Sequence, residues 1–501
     1  MLKPDFTEFL RLARTGRPVP VWRSFLFDRD TAVTAYAKLA APPFGFMLES
    51  LVGGEKWARY TFLGTRPSSA WRLGQDGRVS TWTPVDGWSD PVATADPLAD
   101  LDTRLRARDP VAVPGLPRFF SGAVGYLGYD VIRHIERLPS SPPDTLGLPD
   151  ALFMFTDVVV AIDNIFGTAQ AITTVPTAGA TDAELRAAYE DAASRVTDVV
   201  GTLDHTPSPP ALALREVDAD PPFESSFTRA GYESSVERIR EYIRAGDAFQ
   251  VVLSQRLSMP LEAEPLSLYR ALRSLNPSPY LFFLELDGVS LIGSSPEVLV
   301  RAEEGTVTVR PIAGTRPRGA TPEEDDARAA ELIADPKERA EHLMLVDLGR
   351  NDVGRVAKFG TVRVPAFMEI ERYSHVLHIV SRVEGDLATD TSAMDVLRAC
   401  FPAGTVSGAP KIRAMEILDE LEPVRRSVYA GAVGYFADGG RSMDTAIAIR
   451  TIVAAGGRAH VQAGAGIVAD SDPAMEYEET LAKARALLRV MKMTAPATPP
   501  G

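Results

Sequence analysis

Two pairs of glutamates, each with its members three residues apart, are the residues of this sequence best suited to chemistry. Glu338 and Glu341 follow Asp335 and a proline, a combination typical of a helix start, because an aspartate side chain caps free amide groups there. Glu476 and Glu479 have the same spacing in a second predicted helix. Residues three apart share one helix face, so the four carboxylates could offer oxygen ligands to a hard cation such as Mg²⁺. The alternative is that Glu338 only completes a capping box and that both pairs are solvated.

The size and composition of the chain limit the classes of protein it can be. With 501 residues, 45% of them hydrophobic, the chain can form about two to four domains with large cores. A formal charge of −14 argues against nucleic acid or an anionic membrane as the main partner. The single cysteine, Cys400, excludes a disulfide framework, and the sequence has no zinc motif, signal peptide or membrane-spanning segment. We therefore expect a cytoplasmic protein.

The order of predicted elements indicates the α+β class, because blocks of strands alternate with blocks of helices rather than forming strict strand–helix–strand units. The stretch Asp204–Ser226 is rich in Pro, Asp and Ser and is the predicted linker. It separates an N-terminal domain, residues 1–220, from a second domain, residues 225–492. A tail of small residues and proline, 493–501, is predicted to be disordered.

Local patterns make narrower predictions. The run Met443–Val453 is predicted to be one strand, and the dense apolar run that follows Glu341 predicts a largely buried helix. Asp287 and a glycine between two predicted strands indicate a tight hairpin turn. The runs SGAVGYLGYD from Ser121 and AGAVGYFADG from Ala430 are alike, which indicates either two similar strands or an old duplication.

Three further features could serve a site, although each has a common structural explanation. The run Gly464–Gly466 ends a predicted strand, where glycines let backbone N–H groups approach a ligand closely. Pro410 opens a predicted helix after the glycine-containing loop FPAGTVSGAPK, and a helix N-terminus can bind an anion. His375 and His378 fall on opposite faces of a predicted strand, so they cannot chelate a metal together.

Nine motifs resemble the chorismate-utilising enzymes, in the order found in that family. They are FQVVLSQR from Phe249, SSPE from Ser294, PIAGTRPRG from Pro311, RAEHLMLVDLGRND from Arg339, SHVLHIVS from Ser374, FPAGTVSGAPK from Phe401, AGAVGY from Ala430, QAGAGIVADSDP from Gln462 and EYEET from Glu476. Within the family the chain most resembles anthranilate synthase component I. The strong motifs cover Phe227–Val490, and weaker ones at Met47 and Arg59 reach the N-terminal half. The resemblance implies large antiparallel sheets packed face to face with helices outside.

The resemblance also implies the ligands of the site, position by position. Mg²⁺ would be bound directly by Glu341 and Glu479, with Glu338 and Glu476 on its waters, and would hold the ring carboxylate of chorismate. The residues that would contact chorismate are Gly464, Ala465, Gly466 and Lys483 at the ring carboxylate, Tyr429 and Arg450 at the pyruvyl carboxylate, and Gly314 and Thr315 at the ring.

Three residues match catalytic positions of the family. Glu297 resembles the general acid that protonates the departing C4 hydroxyl, which requires a pKa raised by burial or by nearby negative charge. His378 matches a histidine near the pyruvyl ether, and Thr405 matches a residue near the incoming ammonia. The implied reaction adds ammonia at C2 of chorismate, removes the C4 hydroxyl and then eliminates pyruvate to leave anthranilate.

Two positions separate this activity from related ones. Isochorismate and salicylate synthases carry a lysine base where this chain has Gln250, and ammonia needs no such base. Aminodeoxychorismate synthases usually carry a nucleophilic lysine where this chain has Ala313. Anthranilate is therefore the favoured product, with aminodeoxychorismate synthase component I as the alternative. A non-catalytic homologue that binds tryptophan or a partner is an alternative of another class.

The resemblance further implies regulation and a partner. Ser50, Pro279, Tyr280 and Leu281 match a pocket that binds tryptophan as a feedback inhibitor; the alternative is a hydrophobic seam that binds nothing. Cys400 lacks the Gly-x-Cys-x-Gly setting of a glutaminase nucleophile. Ammonia would therefore come from a separate glutamine amidotransferase subunit or from solution, and we expect a hetero-oligomer.

Overall fold

The structure, a computed structural model, describes residues 2–50, 59–217, 219–373 and 376–494. The helices are α1 (Phe6–Ala13), α2 (Ala32–Leu39), α3 (Pro97–Arg106), α4 (Asp182–His205), α5 (Arg229–Ala245), α6 (Pro265–Leu275), α7 (Pro322–Ala334), α8 (Pro336–Gly354), α9 (Ala393–Cys400), α10 (Gly404–Ser407), α11 (Lys411–Leu421) and α12 (Pro473–Met493), with a 3-10 turn at Tyr129–His134. The predicted disordered tail lies outside the described residues from position 495 onward.

The strands are β1 (Leu2–Lys3), β2 (Val19–Leu26), β3 (Phe44–Glu49), β4 (Tyr60–Thr65), β5 (Ser69–Leu73), β6 (Arg78–Thr83), β7 (Gly87–Trp88), β8 (Val92–Ala93), β9 (Gly122–Leu127), β10 (Ala151–Phe155), β11 (Val159–Asp163), β12 (Thr168–Val175), β13 (Glu224–Ser225), β14 (Gln250–Pro260), β15 (Tyr280–Leu286), β16 (Val289–Ser295), β17 (Val298–Glu303), β18 (Thr306–Val309), β19 (Ile312–Pro317), β20 (Arg363–Arg372), β21 (Val376–Asp386), β22 (Gly408–Ala409), β23 (Ala432–Ala437), β24 (Met443–Ile447), β25 (Thr451–Ala455) and β26 (Arg458–Ile467).

These strands form two antiparallel sheets of thirteen strands each within the described residues. The first sheet has the order β1-β2-β12-β11-β4-β3-β15-β16-β25-β26-β14-β13, with β22 paired to β14. The second has the order β19-β21-β18-β17-β24-β23-β9-β10-β5-β6-β7, with β20 paired to β21 and β8 to β6. Both sheets therefore contain strands from before and after the predicted linker. The predicted domain boundary near residue 220 stays a prediction.

The two sheets pack face to face and helices cover their outer sides, as the resemblance implied. Phe46 and Phe62 of the first sheet meet Tyr126, Leu152 and other side chains of the second in one buried cluster. A second cluster lies between the first sheet and helices α4, α6 and α12. A third lies between the second sheet and α3, α8 and α9. The predicted fold class is confirmed.

The two similar runs, SGAVGYLGYD and AGAVGYFADG, form adjacent strands at the middle of the second sheet. Strands β9 and β23 pair antiparallel, with Gly125 directly opposite Gly434. A Cβ at Gly125 would lie 2.0 Å from the carbonyl oxygen of Leu152, and one at Gly434 would lie 2.1 Å from that of Asp444. The shared glycines therefore allow close approach of neighbouring strands at equivalent places.

Three local features differ from the predictions. The run Met443–Val453 is two strands, because Arg450 adopts a left-handed conformation (φ 51°) and the chain crosses there from the second sheet to the first. Helix α8 is only half buried, since Leu343 is exposed while Leu345 and Val346 are buried. Strand β20 was not predicted, because exposed and half-buried side chains alternate along it and none is fully buried. No helix among the described residues could cross a membrane.

Candidate active site

A cleft of about 570 Å³ gathers most of the predicted site residues, and we call it the glutamate cleft. Its walls come from β14 and β26 of the first sheet, β19 of the second, helices α8 and α12, and the short helix α10. Thirteen of the predicted catalytic, substrate and metal residues line it: Glu297, Gly314, Thr315, Glu338, Glu341, Thr405, Tyr429, Arg450, Gly464, Gly466, Glu476, Glu479 and Lys483.

The four glutamates enter this cleft from two helices. Asp335 caps α8 by accepting from the backbone N–H of Lys337 and Glu338, which fixes the first turn that carries Glu338 and Glu341. Glu341 accepts a hydrogen bond of 3.0 Å from the Gln250 amide. Among the described residues, no three His, Cys, Asp or Glu side chains stand together as a ready-made metal site.

Two of these carboxylates form ion pairs with basic side chains. Arg316 lies 3.1 Å from Glu338, and Lys483 lies 2.7 Å from Glu479. Burial, with the charge of Glu479 adding to it, raises the pKa of Glu476. Glu338 and Glu479 are thus already paired, and a further cation beside Glu476 would counter its repulsion by Glu479.

Two basic residues and a tyrosine form a further part of the cleft, next to Glu479. The Arg450 guanidinium donates a hydrogen bond of 2.9 Å to the backbone carbonyl of Lys483, and burial lowers the pKa of Arg450. The Lys483 ammonium donates to the carbonyl of Gly464 at 2.8 Å. Tyr429 is buried beside them, with the guanidinium of Arg426 5.5 Å from its ring centre. Such an arrangement suits an anionic ligand.

Glycines in β26 make room for these side chains. A Cβ at Gly464 would lie 2.8 Å from the Tyr429 hydroxyl, and a Cβ at Gly466 would lie 2.6 Å from the Gln250 amide nitrogen. Alternate residues of a strand share one face, so Gly464 and Gly466 face the cleft. Ala465 faces away and packs in a separate apolar cluster behind the strand.

Glu297 lies between β16 and β17, at the bottom of the cleft. It is 8% exposed. Burial raises the pKa of Glu297 to about 8, although the Thr405 hydroxyl and the charge of Lys483 both act to lower it. A carboxylic acid with this pKa is largely protonated at neutral pH, which is what proton donation to a leaving group requires.

His378 stands just outside the cleft and supports its wall. Its Nδ1 donates a hydrogen bond of 2.9 Å to the carbonyl of Gly314 and lies 3.2 Å from the Thr315 hydroxyl. Gly314 has a φ of 69° at a bulge in β19, a conformation that favours glycine. Burial lowers the pKa of His378. The second predicted histidine, His375, lies outside the described residues.

Three residues of the site were not singled out in the sequence. Gln462 and Lys337 line the cleft, and Arg316 binds Glu338. A signal existed for two of them: Gln462 alternates with Gly464 along β26, and Lys337 lies one helical turn before Glu341. Arg316 reaches Glu338 only because β19 packs on α8, which no local pattern reveals.

A second cavity of about 420 Å³, which we call the tyrosine cavity, contains all four residues predicted to bind an inhibitor. Ser50, Pro279, Tyr280 and Leu281 line it together with Tyr60, Tyr373 and Tyr435. It lies between the sheets where β3 pairs with β15. Residues 51–58, which follow Ser50, lie outside the described residues.

Charged groups of both signs flank the aromatic walls of the tyrosine cavity. Asp444 accepts hydrogen bonds from Tyr280 at 2.9 Å and from Arg301 at 2.6 Å. Glu49 accepts from Tyr269 at 2.6 Å. Such a cavity is suited to a small zwitterion with an aromatic side chain.

Comparison with known proteins relates the chain to one family. The sequence pattern of the chorismate binding enzymes matches residues 58–489. A curated protein of Pseudomonas putida named anthranilate synthase component 1 is 52% identical over 496 residues, which cover 97% of this chain and 98% of that protein. A protein of the same name from Pseudomonas aeruginosa is 52% identical over 494 residues, with the same coverage.

Solved structures give the same relation. The crystal structure of anthranilate synthase component I from Streptococcus pneumoniae aligns with a TM-score of 0.77 and 37% identity, covering 93% of this chain and 99% of that one. The menaquinone-specific isochorismate synthase of Escherichia coli aligns with a TM-score of 0.68 over 97% of this chain and 98% of that one. At 19% identity, the latter indicates the shared fold alone.

Proposed function

This chain belongs to the chorismate-binding enzyme family, and from that premise we propose that it is the large subunit of an anthranilate synthase. It converts chorismate and ammonia into anthranilate, pyruvate and water. The observation that carries the chemistry is Glu297, a buried acid with a pKa of about 8 that faces a cleft containing both cationic and anionic groups.

Chorismate carries two carboxylates, and the cleft offers a separate position for each. Arg450 and Tyr429 bind the pyruvyl carboxylate. Lys483 and the backbone of β26 around Gly464 and Gly466 bind the ring carboxylate. The ring lies against Gly314 and Thr315. This assignment is supported by the cations and the glycine-lined space on one side of the cleft.

The four glutamates fit Mg²⁺ in their chemistry. They offer the hard oxygen donors that magnesium prefers, from two helices that face one cleft. Glu341 and Glu479 would bind the ion and Glu338 and Glu476 its waters, with Lys483 first leaving Glu479. When bound, the ion would hold and neutralise the ring carboxylate of chorismate.

One group of the protein supplies the proton that the leaving hydroxyl requires. Glu297 donates its proton to the C4 hydroxyl, which leaves as water while the ammonia nitrogen bonds to C2 and the ring double bonds shift. The ammonium nitrogen loses a proton to solvent. Loss of the C2 proton then breaks the C3–O bond and makes the ring aromatic, and the enolpyruvate that leaves takes up one proton at its methylene carbon to become pyruvate. His378, held against Gly314 and Thr315, keeps the ring site in position beside that ether.

Two residues favour ammonia as the direct nucleophile. Gln250 cannot act as a base and instead donates a hydrogen bond to Glu341. Ala313 cannot form a covalent bond to the ring. The alternative, aminodeoxychorismate synthase component I, would release a non-aromatic product.

The ammonia source and the regulation follow from the same assignment. A separate glutamine amidotransferase subunit supplies ammonia in the cell, so the enzyme is a hetero-oligomer. Its location is the cytoplasm. Tryptophan binds in the tyrosine cavity and inhibits. The aromatic walls and the paired charges around Asp444 and Glu49 support a zwitterionic aromatic ligand there.

The experiment is a fluorescence assay of the purified chain with chorismate, Mg²⁺ and ammonium. We expect anthranilate fluorescence that tryptophan abolishes, and no activity without Mg²⁺. Glu479→Gln should remove Mg²⁺-dependent turnover without unfolding, whereas Glu478→Gln, on the neighbouring exposed position, serves as the matched control. A non-fluorescent product that needs a lyase would indicate the alternative enzyme, and no product at all would indicate a non-catalytic homologue.

A further inference from the structure

The glutamate cleft and the tyrosine cavity share one structural element, the hairpin of β20 and β21. Glu371 and Tyr373, at the end of β20, line the tyrosine cavity. His378, on β21, is the direct cross-strand partner of Glu371 and supports the wall of the glutamate cleft. The two cavities are therefore connected by two adjacent strands.

Tyr373 makes the contact between the two sides. Its ring lies edge-on to the ring of His378, with 5.5 Å between the centres and 68° between the planes. Its hydroxyl donates a hydrogen bond of 2.8 Å to Glu371. The Tyr373 ring therefore forms part of the wall of the tyrosine cavity and also packs against His378, beside the glutamate cleft.

A second connection runs parallel to the first. Arg310 lines the tyrosine cavity and forms an ion pair with Glu371. It lies two residues before β19, the strand that carries Gly314 and Thr315. His378 holds those same two residues from the other side. The segment around Gly314 is therefore connected to the tyrosine cavity twice. Arg310, before β19, lines that cavity, and His378, on the neighbouring strand, packs against Tyr373.

We propose that Tyr373 couples the two cavities: a ligand seated in the tyrosine cavity moves the Tyr373 ring and with it His378, which changes the ring site at Gly314 and Thr315. The proposal rests on the proposed function for the identity of the two ligands. A ligand that contacts Tyr373 has different affinities for the two positions of the Tyr373 side chain. This difference in affinity shifts the population between the two conformations of the glutamate cleft. Tyr373 acts as a positioning residue.

The test uses the reciprocity of coupled binding, since chorismate must change tryptophan affinity by the same factor that tryptophan changes chorismate affinity. Tryptophan binding to the full chain is measured by calorimetry with Mg²⁺ and no ammonia source, with and without saturating chorismate. In the unmodified chain we expect chorismate to weaken tryptophan binding at least fivefold.

Two variants interrupt the contact from opposite sides. His378→Leu leaves the walls of the tyrosine cavity intact, so tryptophan should bind the free variant within about threefold of normal while the effect of chorismate falls to less than twofold. Tyr373→Leu should lose the coupling as well, and Tyr373→Phe, which keeps the ring against His378, should retain it. Phe367→Leu, which removes an exposed ring from the same strand, is the matched control and should leave the coupling unchanged.

The outcomes are distinct. Loss of the chorismate effect in His378→Leu, with tryptophan and chorismate each still binding to the free variant, supports the coupling. A normal chorismate effect in His378→Leu overturns it, whatever Tyr373→Leu does. Absence of tryptophan binding to the unmodified chain would instead overturn the proposed effector, and the coupling with it, while leaving anthranilate formation standing.

Discussion

At the scale of single residues, the chemistry depends on keeping Glu297 protonated. Burial raises its pKa and outweighs the lowering effects of Thr405 and Lys483. The glutamates on α8 and α12 are more exposed, and two of them, Glu338 and Glu479, each pair with a cation. One cleft thus contains a buried acid that is protonated at neutral pH together with more exposed carboxylates.

This difference predicts the pH dependence. The pKa of Glu297 is raised, so the acid form is present below about pH 8 and is lost as the pH rises through that value. At a fixed concentration of free ammonia, kcat/KM should therefore fall above about pH 8. Glu297→Gln should lower kcat by about 10² to 10⁴-fold and abolish this alkaline limb. An unchanged alkaline limb in the variant would assign it to another group.

A second prediction concerns the space in front of Tyr429. Gly464→Ala places a methyl group 2.8 Å from the Tyr429 hydroxyl, so the tyrosine must move and the KM for chorismate should rise at least tenfold. The matched control is Gly201→Ala on α4, where a Cβ meets nothing within 4 Å. That control should keep normal kinetics and gain up to about 1 kcal/mol in the free energy of unfolding. Equal kinetics in both variants would remove Gly464 from the binding site.

At the scale of elements, β26 and α12 act as one unit. The Lys483 ammonium binds the carbonyl of Gly464, and the carbonyl of Lys483 accepts from Arg450, so helix and strand hold each other's functional groups. Across the cleft, α9 is joined by only three residues to the short helix α10, which carries Thr405. The position of Thr405 beside Glu297 therefore depends on how firmly α9 is anchored.

The N-terminal cap of α9 is a test of that anchor. Ser392 accepts from the backbone N–H of Asp395 and donates its hydroxyl to the Asp395 carboxylate, and it is buried. Ser392→Ala should lower the free energy of unfolding by about 1 kcal/mol in a urea titration, and raise the KM for ammonium. Thr31→Ala removes the corresponding cap of α2, which contributes no residue to the cleft. Thr31→Ala should lower the free energy of unfolding without changing the KM for ammonium. If both variants raised this KM equally, the effect of Ser392→Ala would not be specific to the anchoring of α9.

At the scale of the whole molecule, each sheet is built from both halves of the chain. Strand β3 pairs with β15 in the first sheet, and β9 pairs with β23 in the second. Separating the halves would expose four long strand edges and divide the apolar cluster between the sheets. The tyrosine cavity, which lies across one of these seams, would be divided as well.

Cutting the chain in the segment 206–223 tests this dependence. We expect fragments 1–205 and 224–501, produced separately, to lack a cooperative thermal transition. Produced together, they should copurify and recover anthranilate formation. A separate 224–501 fragment with a sharp transition and normal activity would instead establish it as an independent catalytic domain.

The sequence by itself determined what local periodicity controls. The spacing of Glu338 with Glu341 and of Glu476 with Glu479 placed each pair on one helix face, and the run Gly464–Gly466 indicated a strand end that a ligand could approach closely. The motif order indicated the family and the fold class. Much of the cleft could therefore be anticipated, because these residues sit on regular elements whose geometry depends on near neighbours.

Only the tertiary structure decided the contacts between distant elements. Arg316 on Glu338, the break of Met443–Val453 at Arg450, the outward face of Ala465 and the Tyr373 contact with His378 all follow from which strands pair and how the sheets stack. Strand pairing is set by burial and hydrogen bonding summed over the whole chain, and not by any local pattern. For that reason the sequence predicted the groups of the site, while the fold alone determined which of them meet.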